Sequence, residues 1–518
     1  MRTTDFAMRY GKDRLSRVRF VARCILFLVL FATTPFKLKA ACRVVTSTGS
    51  GGKTGADWNN AFAGLPPTLV RGDSYYLADG SYSQYIFTTA DSGSTLITIK
   101  KAISSDHCTA TGWILGTMGS GQAVFNRGGG HYGTGIVVRS SNLVINGQVG
   151  AGEGTTTYGI KFNSTGGICG PPATSCYDLM IGDTATQTNV TVEYLEIEGA
   201  CGGMNLATDP QACDTFEVST QEQLIYVSNA STDLTFSHIY AHHAAGGVFQ
   251  FAGGASNVTI QNSFLYANNS TPVQHSECIG ANWTTNNVTI AYNSFHDCEG
   301  TAIIGILGPG PGQTYTSDSW RIYGNIVWYT ANNGNNRRGV GDGFFGCIDS
   351  QAPSVCSNIS IYNNTFADMT GPITKPRAGL PAAVEGNIAV IYTAGATGSA
   401  TVENNLWYNN AMSINFAAPK TWTENFNTSF NPGGVSGLQG AFDATIRGVA
   451  DPFTKDASGN FSLVSESQVG ITGGRFLSAP YNLDYVGAVR GADGTWERGA
   501  YEFTLKSALE TLGTITAH

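Results

Sequence analysis

Five histidine and carboxylic side chains fall between residues 275 and 299: His275, Glu277, His296, Asp297 and Glu299. A pair of carboxyl groups across a glycosidic bond is enough for hydrolysis, one serving as acid and the other as base or nucleophile. Glu277 and Asp297 are the pair expected to do this, with His296 placed to tune either. The competing chemistry is lyase cleavage beside a uronate, which needs a cation to neutralise the sugar carboxylate and a base for the neighbouring proton. Arg337 and Arg338, and Lys375 with Arg377, are the cations on hand. Asp342 and Asp349 are oxygen donors suited to calcium, although no calcium-loop spacing accompanies them.

A repeat must position these residues. Asn257-Val258-Thr259-Ile260 recurs as Asn287-Val288-Thr289-Ile290, 30 residues on. Short β-branched runs between Gly/Asn-rich turns at that period describe a solenoid, whose units bury their apolar faces only against one another. The same unit is read at Leu143-Val144-Ile145, Val190-Thr191-Val192, Leu234-Thr235-Phe236, Trp320-Arg321-Ile322, Ile359-Ser360-Ile361 and Ala400-Thr401-Val402. Alternation sends the first and third residue of each triplet inward. Three positions beyond the triplet stand Asn293, Asn325, Asn364 and Asn405, expected to take a left-handed turn and to bond along the axis. Sequons such as Asn257-Val258-Thr259 fall in the same pattern and read as ladder chemistry before glycosylation. Three positions further on come His242, Tyr266, His296 and Trp328 in successive coils, then Ala367 and Tyr408. With coils about 4.8 Å apart, these rings are expected to form an exposed ladder that stacks sugar faces, with His243 beside it. Carboxylates on adjacent or next-but-one coils would lie about 5–10 Å apart, a range covering both glycosidase geometries.

Sixty-five glycines, 13% charged residues and little helical periodicity predict an elongated all-β body. Arg14, Arg17, Arg19 and Arg23 precede the apolar run from Cys24 to Phe31, and Ala40-Ala41 follow, so residues 1–41 read as an export signal. The run is too short to span a bilayer. A lipid anchor at Cys42 is the lesser alternative, because Lys39 stands where an apolar residue is expected. Without residues 1–41 the chain has 20 basic and 35 acidic residues, a net charge of −15. That surface argues against nucleic acid and anionic membrane as partners, and favours a neutral glycan unless a cation bridges the like charges. Ten cysteines remain after Cys24 is removed, an even number suited to an oxidising compartment. The expected pairs are Cys42–Cys108, Cys169–Cys176, Cys201–Cys213, Cys278–Cys298 and Cys347–Cys356. No Cys-x-x-Cys spacing supports zinc.

The coil unit, as in Ile359-Ser360-Ile361-Tyr362-Asn363-Asn364-Thr365-Phe366, resembles that of the right-handed parallel β-helix superfamily of pectate-lyase-like proteins. The opening from Arg71-Gly72-Asp73 to Asp79-Gly80-Ser81-Tyr82, and the closing Arg490 with Arg498-Gly499-Ala500-Tyr501-Glu502, resemble the entry and exit segments of secreted bacterial members. The expected fold is an all-β, right-handed parallel β-helix solenoid with an N-terminal cap and an irregular C-terminal closing segment. Its divisions are a signal over 1–41, cap and first coils over 42–110, the β-helix over 111–424, and a closing segment and tail over 425–518, where Leu505, Leu509 and Leu512 could form a short amphipathic helix. The superfamily includes lyases, glycoside hydrolases, epimerases and non-catalytic surface proteins, so activity has to be argued from side chains. The expectation is a monomer, extracellular or periplasmic, that cleaves a polysaccharide by carboxylate chemistry. A uronate lyase using Arg337 or Arg338 and a non-catalytic adhesive β-helix are the alternatives. No nucleic acid, no membrane span and no cofactor other than calcium are expected.

Overall fold

A computed structural model describes residues 40–127, 135–152, 157–164, 175–203, 221–266, 277–298, 302–307, 315–329, 344–348, 354–368, 387–392, 396–409, 411–416, 421–430, 435–436, 440–445, 450–455 and 459–503. Their strands form one 24-stranded and one 11-stranded sheet with parallel pairings, and Phe453–Lys455 pairs antiparallel with Asn460–Leu463 in a third. A typical coil contributes a strand to the smaller sheet, then two to the larger; Thr188–Glu198 and Thr232–His242 run through both large-sheet positions as one strand, and the coil after Ile304–Leu307 adds a third, Tyr315–Asp318. The chain is a right-handed parallel β-helix.

Every triplet read from the sequence is a strand in the expected register. Leu143 pairs with Val190, Val190 with Leu234, Leu234 with Val258, Val258 with Val288 and Val288 with Trp320. The third positions continue from Ile322 through Ile361 to Val402. Val258 and Ile260 are buried while Thr259 is half-buried, as alternation requires. These columns of β-branched and aromatic residues are the inside of the solenoid.

The asparagine ladder sits between the two large-sheet strands of each coil. The Asn293 amide donates to Asn325 Oδ1 at 2.9 Å, Asn325 to Asn364 and Asn364 to Asn405, each at 3.0 Å. Each side-chain Nδ2 also donates to a carbonyl one coil back, such as Ile322 O from Asn364 at 3.0 Å. The left-handed turn falls not on the rung asparagines, as expected, but on the residue before each, with φ 58° at Tyr292, 54° at Asn363 and 59° at Asn404. That conformation strains non-glycine residues, and the fully satisfied amides offset it. The ladder runs further than the sequence indicated: Asn405 N bonds Asn427 Oδ1, and Asn427 N bonds Asp443 Oδ1. Asn427 escapes notice because its triplet ends in Glu424, not an apolar residue, and the Asn427 amide itself satisfies the Glu424 carboxylate at 2.9 Å. A second, exposed ladder joins Asn287 Nδ2 to Asn257 Oδ1 at 2.7 Å and Asn257 Nδ2 to Asp233 Oδ1 at 3.0 Å, the role expected for the sequon residues.

Trp58–Asn60 is a 3-10 turn whose buried Trp58 indole donates to the carbonyls of His107 and Thr109. Disulfides join Cys42 to Cys108, Cys278 to Cys298 and Cys347 to Cys356. Cys176 and Cys201 are also disulfide-bonded, while Cys169 and Cys213 lie outside the described residues. So do Leu505, Leu509 and Leu512.

The C-terminal segment folds back over the outer face of the large sheet. Phe453, Phe461, Leu463, Ile471 and Tyr501 pack with Ile326, Trp328, Leu406, Tyr408 and Phe430 as a second apolar cluster outside the solenoid. Arg498 fixes the segment by donating to the carbonyls of Phe426, Gly470, Thr472, Gly473 and Phe442. At Gly499 (φ 94°) a Cβ would stand 2.7 Å from Thr365 Oγ1, so only glycine lets the backbone reach the sheet.

Candidate functional site

The smaller sheet alternates like the larger one. Leu179, Ile225, Phe249, Ile279 and Ile304 point into the solenoid, so the residues between them point out. One outward column runs Met180, Tyr226, Gln250, Gly280, Gly305 and Gly346. A parallel one runs Tyr177, Gln223 and Gly247. Glu277 stands beside Gly247, its carbonyl accepting from the Val248 amide at 3.3 Å.

The glycines of this face make room for Glu277. A Cβ at Gly280 would lie 3.3 Å from Glu277 Oε2 and 2.8 Å from Gln250 Oε1, and a Cβ at Gly305 would lie 2.9 Å from Glu277 Cγ. The Glu277 side chain therefore crosses two neighbouring strands on the outer face, 3% exposed. At the other end of the strip the Tyr177 and Tyr226 rings pack 4.1 Å apart over Met180 and Val137. Tyrosine pair, glutamine amides and carboxylate succeed one another along the helix axis.

The Cys278–Cys298 disulfide, with Cα atoms 6.1 Å apart, fastens the start of the Glu277 strand to the corner that carries His296 and Asp297. The two carboxylates picked from the sequence thus flank one cross-link. Asp297 is wholly buried with φ 56°, and His296 Nε2 lies 3.3 Å from its Oδ2. His243, Asp368 and Asn409 occupy the same left-handed corner in other coils, at φ 55°, 55° and 52°. A short polar side chain suits that backbone, so Asp297 has a structural reason to be where it is. His275, Glu299, Arg337, Arg338, Asp342 and Asp349 lie outside the described residues.

The ring ladder has the expected register but not the expected exposure. His242, Tyr266, His296, Trp328, Ala367 and Tyr408 pair in sequence. His296 stacks on Trp328 at 3.5 Å and Tyr266 lies 4.8 Å from His296. Yet His242 is 5% and Trp328 6% exposed. Phe461 lies 5.5 Å from the Trp328 ring, because the C-terminal segment covers this stretch of the sheet. The Trp328 end of the ladder is a packed interface and not an open platform.

Two charged clusters were not singled out in the sequence. On the large sheet, Lys161 Nζ is held by Glu196 Oε1 at 2.7 Å and Glu198 Oε2 at 2.5 Å. Gln122 donates to Glu196 Oε2 at 2.7 Å, and His242 Nε2 lies 3.5 Å from Glu196 Oε1. The His242 approach is longer than a strong hydrogen bond, so the two 2.7 Å contacts do most of the holding. Burial alone would raise the Glu196 carboxyl, but His242, Lys161 and Gln122 outweigh it and hold it at about 2. Burial, and then the neighbouring His242, push His243 down to about 4. Where the sheets meet, Arg127 bridges Asp178 at 3.2 Å and Glu222 at 2.5 Å. Burial pushes Asp178 up, to about 6, against the pull of Arg127. The alternation Glu196-x-Glu198 facing Lys161 was the available signal. Its partners come from strands tens of residues apart, which no local spacing reveals.

No family model matches this chain, and no curated protein does. Among solved structures, it is similar to pectate lyase Pel9A at 13% identity and a TM-score of 0.46, over 90% of this chain and 97% of that one. It is similar to a GH136 lacto-N-biosidase from Eubacterium ramulus at 10% identity and 0.38, over 75% and 67%. A rhamnogalacturonan lyase matches at 13% and 0.33, over 80% and 91%. No helix among the described residues is long and apolar enough to cross a membrane.

Proposed function

We propose that this protein is an exported, polysaccharide-cleaving β-helix whose working surface is the outer face of the smaller sheet, with Glu277 at the bond that breaks. The observation that carries the reading is the Glu277 side chain laid across Gly280 and Gly305, in line with Gln250, Gln223 and the Tyr177–Tyr226 pair. Glu277, Gln223 and Gln250 are only 3%, 4% and 7% exposed, as buried as the His242–Trp328 column, so the reading requires this face to open to a glycan whose C–H faces stack on rings and whose hydroxyls pair with amides. A carboxyl pressed into a water-poor setting is suited to proton transfer, and Asp297 or Glu299 would supply the second carboxyl that hydrolysis requires. The disulfides suit the oxidising compartment that export would provide.

The charge pattern favours hydrolysis of a neutral glycan over lyase cleavage. Where the sheets meet, Arg127 is tied to Asp178 and Glu222, and on the large sheet Lys161 is tied to Glu196 and Glu198. A cation so engaged is poorly available to a uronate carboxylate, which leaves the lyase reading to Arg337 and Arg338. The test is incubation with neutral and uronate polysaccharides, with and without calcium, following new reducing ends and unsaturated products in parallel. Reducing ends without unsaturation, lost by a factor of about 10³ or more in Glu277→Gln at unchanged thermal stability, are the expected result. Unsaturated products would move the chemistry to the arginines. Binding without cleavage would make the protein an adhesive module.

A further inference from the structure

The C-terminal segment carries a group of acids that the proposed glycan site does not use. Glu466 follows the strand Asn460–Leu463, and Asp493 and Glu497 lie in the loop that leads into Arg498. One carboxylate oxygen from each lies within 4.8 Å of the others. Glu466, Asp493, Thr495 and Glu502 line one cavity of about 520 Å³. Glu497 is wholly buried; its Oε1 takes the Thr495 hydroxyl at 3.1 Å, and no hydrogen-bond partner among the described residues reaches its Oε2. Glu502 Oε2 is in the same position, with Arg490 Nη1 no closer than 3.7 Å. That Nη1 donates instead to the Glu497 carbonyl, and Nε and Nη2 to those of Leu483 and Gly499. Buried carboxylate oxygens without a donor are costly, and here several acids share one arginine.

We propose that Glu466, Asp493 and Glu497 bind one calcium ion, which fastens the C-terminal cover onto the β-helix. Oxygen-only donors select a hard cation over zinc. Calcium holds oxygens at about 2.3–2.6 Å, so two oxygens on one ion stand up to about 5 Å apart, whereas magnesium at about 2.0–2.1 Å permits only about 4 Å. The three ligand atoms, all within 4.8 Å of one another, fit inside the span that calcium permits, and the magnesium control decides between the two ions. The ion would tie the stretch after the Trp328-covering strand to the loop whose Trp496 indole donates to Asn363 Oδ1 and whose Arg498 caps the carbonyls named above. This inference stands independently of the glycan reading. The competing way to quiet the same charge is a proton, since burial and the adjacent Glu497 push Glu502 up to about 8.

The test is calorimetric titration of chelator-treated protein with calcium chloride near pH 7.5, with magnesium chloride as control, paired with thermal melts. The expected result is one calcium site per chain, a Tm raised by about 2–4 °C at saturating calcium, and weaker response to magnesium. Asp493→Asn and Glu466→Gln should each weaken calcium binding about tenfold or more while leaving the calcium-free melt close to wild type. Absence of calcium-dependent heat and Tm shift would overturn the proposal, and would be joined by stability falling as pH climbs toward 8 if a proton is shared instead. Unchanged calcium affinity in both variants would overturn it too, by placing the ion elsewhere.

Discussion

Glu196 and His243 show how the outer face of the large sheet is tuned, and both shifts bear on stability. Glu196 is held at about 2 in the fold, below its ordinary value, so it releases its proton more readily folded than unfolded. Its contribution is present above the ordinary carboxylate pKa and is lost as pH falls from about 4.5 toward 2. His243 stays neutral down to about 4, so stability is also lost as pH falls from the ordinary histidine value of about 6.5. Each shift corresponds to on the order of 3 kcal/mol at full extent. Asp178 and Glu502, held above their ordinary values, act in the opposite sense as pH falls, so Glu196 is read from the difference between wild type and Glu196→Gln in thermal melts from pH 7 to pH 3. The variant should be less stable at pH 7 and the difference should shrink as pH falls from about 4.5 toward 2; a difference independent of pH would show that the Lys161 cluster is not engaged as described.

At the scale of the turn, two ladders of similar composition should differ in energetic weight. Asn364 is wholly buried, its Oδ1 accepts from both the backbone and side chain of Asn325, and its Nδ2 serves Ile322 O and Asn405 Oδ1. Asn364→Ala strands several of these buried groups and should cost about 3–5 kcal/mol in urea unfolding. Asn287 makes an exposed rung, and Asn287→Ala should stay within about 1 kcal/mol. Equal costs would mean that burial does not decide the weight of an amide rung. The first ladder was legible because one residue type recurs at one offset from each apolar triplet. The acidic partners of Lys161 were not, because their proximity is set by coil stacking and not by offset along the chain.

For the molecule as a whole, the C-terminal segment is part of the wall. Trp328→Ala should act mainly on stability, by about 3–5 kcal/mol, because the ring is clasped between His296 and Phe461. Glycan affinity should change little once the variant is folded, and a selective loss of binding with an unchanged melt would restore the ladder as a sugar platform. Arg498→Ala deprives five carbonyls of their donor and should speed limited proteolysis of residues 459–503 ahead of the coils.

The sequence by itself determined the strand triplets, their inward and outward positions and the asparagine rungs, since each follows from periodicity; the pairs Cys42–Cys108, Cys278–Cys298 and Cys347–Cys356 were expectations that the structure bears out. The sequence also placed Glu277 and Asp297 near one another, through a repeat of 30 residues and the disulfide between their neighbours. Only the tertiary structure decided which outward positions are covered. The column from His242 to Trp328 is outward on its own strands, yet a segment more than 130 residues later in the chain lies on its far end. Conversely, a floor of glycines on the smaller sheet leaves space for Glu277, and that space exists only where three coils bring Gly280, Gly305 and Gly346 into one column. Alternation tells which way a side chain points from its strand, but burial depends on what the rest of the chain lays over it.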